Sequence, residues 1–271
     1  MRERFVDGDC RTGGRQPSRC RRLGFTLLEL LVSIAIVGLL LAILAPAIGA
    51  TMKSARSFRC QTSLRSIAFD FSVFADDDMH GDRGNDPTEV GPGSFRLETF
   101  IESQYGVDEF WAWGTAPSHA LPDAAKNDPM RCPEVRGPVT VLNGLTCGMG
   151  AITPPRHISY GFNMRLHFAQ VVDAGGQPIG VDAKLSSKIL DEELVPLAWD
   201  VDGERAGALG SNPLFSAPML ESTAVYSNDR YWYPAPRHQG RVNVVFTDGS
   251  VRSTPRPLDE NGWRWSYQPV R

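Results

Sequence analysis

Charge is absent over one long stretch. From Leu30 to Ala50 no residue is charged, and no Lys, Arg or His occurs between Arg22 and Lys53. That excludes a solvated segment there and leaves Glu29, at its start, without a cationic partner nearby in sequence. A basic surplus is also missing: the net charge of -3 gives no support for nucleic-acid binding. Gly-x-Ser-x-Gly, His-Glu-x-x-His, P-loop and Cys-x-x-Cys patterns are all absent. No catalytic residue is therefore expected, and the chain is not read as an enzyme. Cysteine is sparse, with five residues at 10, 20, 60, 132 and 147.

What charge there is falls unevenly. Residues 1–24 hold seven Arg and three acids, while the remainder carries a net charge of -7. A basic leader ahead of an acidic body is the pattern of an exported protein. In an oxidising compartment Cys132 and Cys147, both in a turn-rich region, are candidates for a small disulfide loop; two unpaired thiols are the alternative. Cys60 is expected to pack as a small apolar residue.

The uncharged run forms a helix of roughly 30 Å, enough to cross a bilayer core. A cleaved signal peptide and a plain signal anchor are the ordinary readings. The run is longer than a usual signal core, and no small-x-small cleavage site stands at its end. Arg19, Arg21 and Arg22 keep the N-side in the cytoplasm, against a weaker opposing set at Lys53, Arg56 and Arg59. Neither ordinary reading explains Glu29. A carboxylate at membrane depth is costly and usually paired. Its partner is expected from a chain end, another chain or another protein.

"GFTLLELLVSIAIVGLLLAILAP", residues 24–46, closely resembles the signal of type IV pilins and type II secretion pseudopilins. The resemblance implies cutting by prepilin peptidase after Gly24 and methylation of the new N-terminus at Phe25. Glu29 falls where that family carries its assembly Glu. Pro46 falls where it often carries a helix-bending Pro. The partner implied for Glu29 is then the Phe25 ammonium of a neighbouring subunit. The fold implied is α+β and type IV pilin-like: a long apolar helix packed on a C-terminal antiparallel sheet. The organisation expected is a leader over 1–24, a long helix over 25–74 with its membrane part at 25–50, and an extracytoplasmic α+β domain over 75–271. The implied partners are other pilin or pseudopilin subunits, the peptidase, the inner-membrane assembly platform and the membrane itself. The implied location is the inner membrane, single-pass, with the body periplasmic, and then the pseudopilus.

The helical pattern continues beyond the apolar run. Phe58, Leu64, Ile67, Ala68, Phe71 and Phe74 recur at mostly three- and four-residue steps, a core-facing stripe. "DDDMHGDRGNDP" from Asp76 ends it. Its five Asp and His80 could hold Ca²⁺, but the spacing is not that of a Ca²⁺ loop, and a solvated loop is the expected reading. No cofactor is otherwise expected. "SFRLETFIESQYG" reads as a short helix, and "HISYGFNMRLHF" and "LVPLAWDVDG" as strands. Asp200, Asp202 and Glu204 alternate and are weak candidates for a metal; a polar turn is the alternative. Trp111, Trp113 and Tyr231-Trp232-Tyr233 are the features that favour a second function, a membrane-anchored or filament-tip module binding an exported substrate or glycan; packing is the expected reading of Trp111 and Trp113.

Near the C-terminus, Val242, Val244 and Phe246 alternate with Arg241, Asn243 and Thr247, a period-two strand. Asp248-Gly249 then signals a two-residue type I′ hairpin, which would set Phe246 opposite Val251. His238, nine residues and Asp248-Gly249 resemble the His-x₉-Asp-Gly signature of a large pseudopilin-like family with many planctomycete members. "RCQTSLRSIAF", "RCPE" at Cys132 and "SYGFN" at Ser159 fit the same layout. His238 and Asp248 are not expected to act as a pair, because an extended strand separates them by roughly 20–30 Å. His238 is expected to anchor the start of the strand and Asp248 to form the turn.

Overall fold

The computed structural model describes residues 26–77, 79, 93–105, 131–135, 158–172, 174–209, 211, 213–220, 226 and 229–269. In chain order its elements are α1 (Leu27–Ala75), β1 (Ser94–Phe95), α2 (Leu97–Tyr105), β2 (Tyr160–Asn163), α3 (Met164–His167), β3 (Phe168–Val172), β4 (Pro178–Asp182), β5 (Leu185–Ser186), a 3₁₀ turn (Ser187–Asp191), β6 (Pro196–Asp200), α4 (Gly203–Ala208), β7 (Phe215–Ser216), β8 (Val242–Phe246) and β9 (Val251–Thr254). The architecture is α+β, as the sequence predicts. The chain divides into two units, Met1–Gly49 and Ala50–Arg271.

The described part of the first unit is the start of α1. Residues 26–55 are all exposed, and most of their bulk is Leu, Ile, Val and Ala. By length and composition α1 can cross a membrane.

In the second unit α1 becomes amphipathic. Cys60, Leu64, Ile67, Ala68, Phe71, Phe74 and Ala75 are buried, at steps that keep them on one face. Phe58, expected in this stripe, is 71% exposed instead, and Cys60 takes the inward position. Phe71 meets Phe95 and Phe100 edge-on at 6.0 and 5.2 Å, and Phe74 meets the same two rings at 5.4 Å. Edge-to-face contact suits the ring quadrupoles. It ties the end of α1 to the start of α2.

The sheet runs β7-β2-β6-β8-β9, antiparallel throughout except for the parallel pair β2–β7. All five residues of β6 and of β8 are buried, so β8 is not the one-sided strand its alternation suggests. Both faces are covered. On one, Gln61 of α1 donates to Asn243 Oδ1 at 3.2 Å. On the other, Phe246 packs on Trp263 and Trp199 on Trp265, each at 4.9 Å. The second cover comes from the chain after β9, which the local pattern of β8 does not reveal.

Two further strand expectations change. "HISYGFNMRLHF" is not one strand. The Asn163 side chain accepts from Arg165 N–H at 3.0 Å and donates to the Pro196 carbonyl at 2.8 Å. It thereby ends β2 and caps α3. The β8–β9 hairpin is also a different turn. Gly249 N–H reaches the Phe246 carbonyl at 3.0 Å, Phe246 N–H reaches the Ser250 carbonyl at 3.0 Å, and only Gly249 has positive φ, +79°. That is a type I turn closed by a left-handed Gly rather than type I′. The longer loop moves the register by one, so Val245, not Phe246, faces Val251.

Candidate functional site

Two places carry the residues singled out by sequence. The first is the beginning of α1. Thr26 precedes the helix, and Glu29 lies in its first turn. The Glu29 carboxylate Oε2 accepts from Thr26 N–H at 2.8 Å and from the Thr26 hydroxyl at 2.9 Å. Glu29 N–H donates to Thr26 Oγ1 at 3.3 Å. This reciprocal pattern is a capping box, which satisfies amide donors left open at a helix start. Glu29 thus has a partner within its own chain, three residues away, besides the external one that the resemblance implies. The signal for it is the Thr-x-x-Glu spacing, which needs no cation. Gly24 and Phe25 lie outside the described residues. The helix continues through Pro46, which has no N–H to offer the preceding turn.

The second place is assembled from four distant segments. Cys60 stands on the inward face of α1. Cys132 lies in the turn 131–135. The two are joined as a disulfide, with Cα atoms 5.2 Å apart, a span that suits the bond. This replaces the expected pairing of Cys132 with Cys147; Cys147 lies outside the described residues. Cys60 is therefore a cross-link rather than a filler. Its inward place on the stripe, which the sequence pattern gives to Phe58, brings it to Cys132.

His238 approaches the bridge from the third segment. Its Nε2 lies 3.5 Å from Cys132 Sγ and 3.4 Å from Asp200 Oδ2. Its Nδ1 lies 3.8 Å from Glu134 Oε1. The backbone of His238 also exchanges bonds with Arg241 at the entry to β8, an anchoring role at the expected place. The side chain reaches much further than that role requires. Asp200, at the end of β6, is fully buried. Its Oδ2 accepts from Asn243 N–H at 2.8 Å, and its Oδ1 faces Arg237 Nη1 at 3.6 Å. Arg237 in turn donates to the Ser159 and Val201 carbonyls. A buried carboxylate needs such compensation.

The scattered family-like fragments thus meet. "RCQ" contributes Cys60 and Gln61, "RCPE" contributes Cys132 and Glu134, and "SYGFN" contributes Ser159, while its Gly161 lies in β2 opposite Trp199. A Cβ on Gly161 would stand 2.7 Å from the Pro213 carbonyl oxygen, so the close approach there requires Gly. His238 joins them. Asp248 does not: it sits beyond the other end of β8, where Oδ1 accepts from Ser250 N–H at 2.8 Å. The turn role expected for Asp248 and Gly249 matches this geometry.

The other candidates scatter. Asp202 caps α4 by accepting from Glu204 and Arg205 N–H at 3.0 and 3.1 Å. Glu204 is exposed, while Asp200 faces inward, so the three do not form one ligand set. Asp76 accepts from Met79 N–H and Asp77 from the Ser187 hydroxyl; Asp78, His80, Asp82 and Asp86 lie outside the described residues. Trp232 packs against both Trp199 and Trp265, at 5.8 and 5.4 Å, and Tyr233 is buried. These two are engaged in packing. Trp111 and Trp113 lie outside the described residues.

Comparison with known proteins bears on the first place only. No curated protein and no solved structure matches the chain. Residues 19–45 match the family described as the prokaryotic N-terminal methylation motif. The chain therefore carries a prepilin-type N-terminal signal, which runs into the exposed apolar part of α1.

Proposed function

We propose that this chain is a pilin-like structural subunit, cut after Gly24 by prepilin peptidase, held in the inner membrane and assembled into a pseudopilus or type IV filament that serves secretion. The observation that carries the reading is the overlap of the methylation motif, residues 19–45, with a helix whose residues 26–55 are wholly exposed. An exposed apolar helix needs lipid or other helices around it. Filament assembly supplies each in turn: lipid before extraction, neighbouring stems afterwards. Phe58 and Phe69 extend the surface beyond the membrane part. They are 71% and 66% exposed and lie about three turns apart on one face of α1.

The capping box is compatible with an assembly role for Glu29. Both Thr26 bonds fall on Oε2. Oε1 is left to accept from the Phe25 ammonium of a neighbour once the peptidase has created it. In this reading Glu29 closes its own helix and sets the axial register of the next one. The periplasmic body decorates the filament and performs no catalysis.

Mass spectrometry of the mature N-terminus tests the proposal. N-methyl-Phe25 is the expected result. An N-terminus near Ala50 would make the chain an ordinary secreted protein. Glu29→Ala is expected to be processed normally but left out of filaments; normal incorporation would refute the register role.

A further inference from the structure

The disulfide, His238 and Asp200 form a buried cluster that the filament reading does not use. We infer that, when the disulfide is reduced, Cys60, Cys132 and His238 form a binding site for a thiophilic divalent cation of the Zn²⁺ class. The same two sulfurs then have two exclusive uses: a cross-link when oxidised and metal ligands when reduced.

Geometry points to this first. The ligand atoms of the three residues lie within 4.8 Å of one another, and all three residues are buried. Tetrahedral Zn²⁺, with Zn–S of about 2.3 Å and Zn–N of about 2.0–2.1 Å, holds a sulfur and a nitrogen roughly 3.6 Å apart. The Cys132 Sγ to His238 Nε2 distance is 3.5 Å. Two such ligands hold their sulfurs roughly 3.8 Å apart, so the sulfurs part once the bridge is reduced. Donor chemistry is the second point. Two thiolates and an imidazole favour Zn²⁺ over Ca²⁺ or Mg²⁺, which take oxygen ligands.

The surroundings are arranged as a metal-bound histidine requires. Nε2 faces the sulfurs, and Nδ1, buried with no hydrogen-bond partner, has Glu134 Oε1 at 3.8 Å. A carboxylate behind the non-ligating nitrogen fixes the tautomer that leaves Nε2 free to bind. Among the described residues Asp200, with Oδ2 3.4 Å from Nε2, offers a carboxylate for the fourth position. Most of the charge is offset. Two thiolates, Asp200 and Glu134 face the divalent cation and Arg237, which leaves one negative charge, and Glu134 keeps some contact with solvent.

Reduction comes before binding. A small dithiol reduces the bridge, becoming a disulfide itself and leaving Cys60 and Cys132 as thiols. Zn²⁺ then displaces both thiol protons to solvent.

The test uses the full-length chain in detergent, with Cys10, Cys20 and Cys147 changed to Ser. The protein is reduced anaerobically with excess dithiol, freed of it, and titrated with Zn²⁺ and with Co²⁺. One Zn²⁺ per chain is expected, with a thiolate-to-Co²⁺ charge-transfer band. The oxidised chain should bind none. His238→Ala and Cys132→Ser should weaken binding by more than roughly a hundredfold, and Glu134→Gln by about tenfold. His238→Gln, which retains most of the side-chain volume, guards against a folding artefact: it should keep the far-UV spectrum of the parent and still lose the metal. The inference fails if the reduced chain takes up no Zn²⁺, if the oxidised chain takes up as much, or if His238→Gln binds as tightly as the parent.

Discussion

His238 Nε2 lies 3.4 Å from Asp200 Oδ2 in the interior of the domain, although 37 residues of chain lie between them in sequence. Asp200 also serves Asn243 N–H and Arg237. Removing it leaves a guanidinium and an amide uncompensated in a buried place. Asp200→Ala is therefore expected to lose about 3–5 kcal/mol of stability. Denaturant titration of the oxidised protein in detergent measures it. A loss below about 1 kcal/mol would mean that water replaces the carboxylate.

The cross-link is the next test. Cys60 and Cys132 are separated by 72 residues, so closing that loop restrains the unfolded chain by about 4 kcal/mol in the chain-entropy account. Cys60→Ser should lower the denaturation midpoint under oxidising conditions and leave little further effect for reductant. Peptide mapping without reduction should return a Cys60–Cys132 peptide. A Cys132–Cys147 peptide would contradict the structure.

Two phenylalanines of α1 should part company. Phe71 is fully buried against Phe95 and Phe100, and Phe71→Ala is expected to cost about 3–5 kcal/mol. Phe58 is 71% exposed, so Phe58→Ala should change monomer stability by less than about 0.5 kcal/mol. Filament yield, measured by shearing and sedimentation, should fall for Phe58→Ala. Unchanged yield would remove Phe58 from the stem surface used in packing.

His167 supplies a pH dependence. Its ring stacks on Phe215 at 4.3 Å, and loss of hydration pulls its pKa from 6.5 down to about 4, even though the residue as a whole keeps some surface. The folded form therefore holds the imidazole neutral where the unfolded form is protonated. Its contribution is complete above pH 6.5 and is lost as pH falls from 6.5 towards 4. Thermal melts over that window should flatten in His167→Gln. An unchanged slope would assign the acid sensitivity elsewhere.

Much of the fold is readable in the sequence where the cause is local. The apolar run, the amphipathic continuation of α1, the helix after Phe95 and the β8–β9 hairpin each follow from neighbours in sequence. The limits are local as well in two cases. Thr26-Leu27-Leu28-Glu29 is a capping signature, and treating Glu29 only as an unpaired charge hides it. Asp248-Gly249 signals a hairpin, but the dipeptide alone does not choose between a two-residue and a three-residue loop. That choice moves the register by one residue, from Phe246 to Val245.

The sequence by itself determined an N-terminal signal and an apolar helix of membrane length, because hydrophobicity and helix geometry act over a few turns of contiguous chain. It also determined that Asp248 and Gly249 make a turn. Only the tertiary structure decided which cysteines join, because bonding depends on a Cα separation of 5.2 Å that 72 residues of chain do not reveal. It also decided where the His238 side chain sits. Strand direction correctly kept His238 away from Asp248. The pairing of β6 with β8, and the packing of α1 on that sheet, brought it instead to Asp200 and the Cys60–Cys132 bridge.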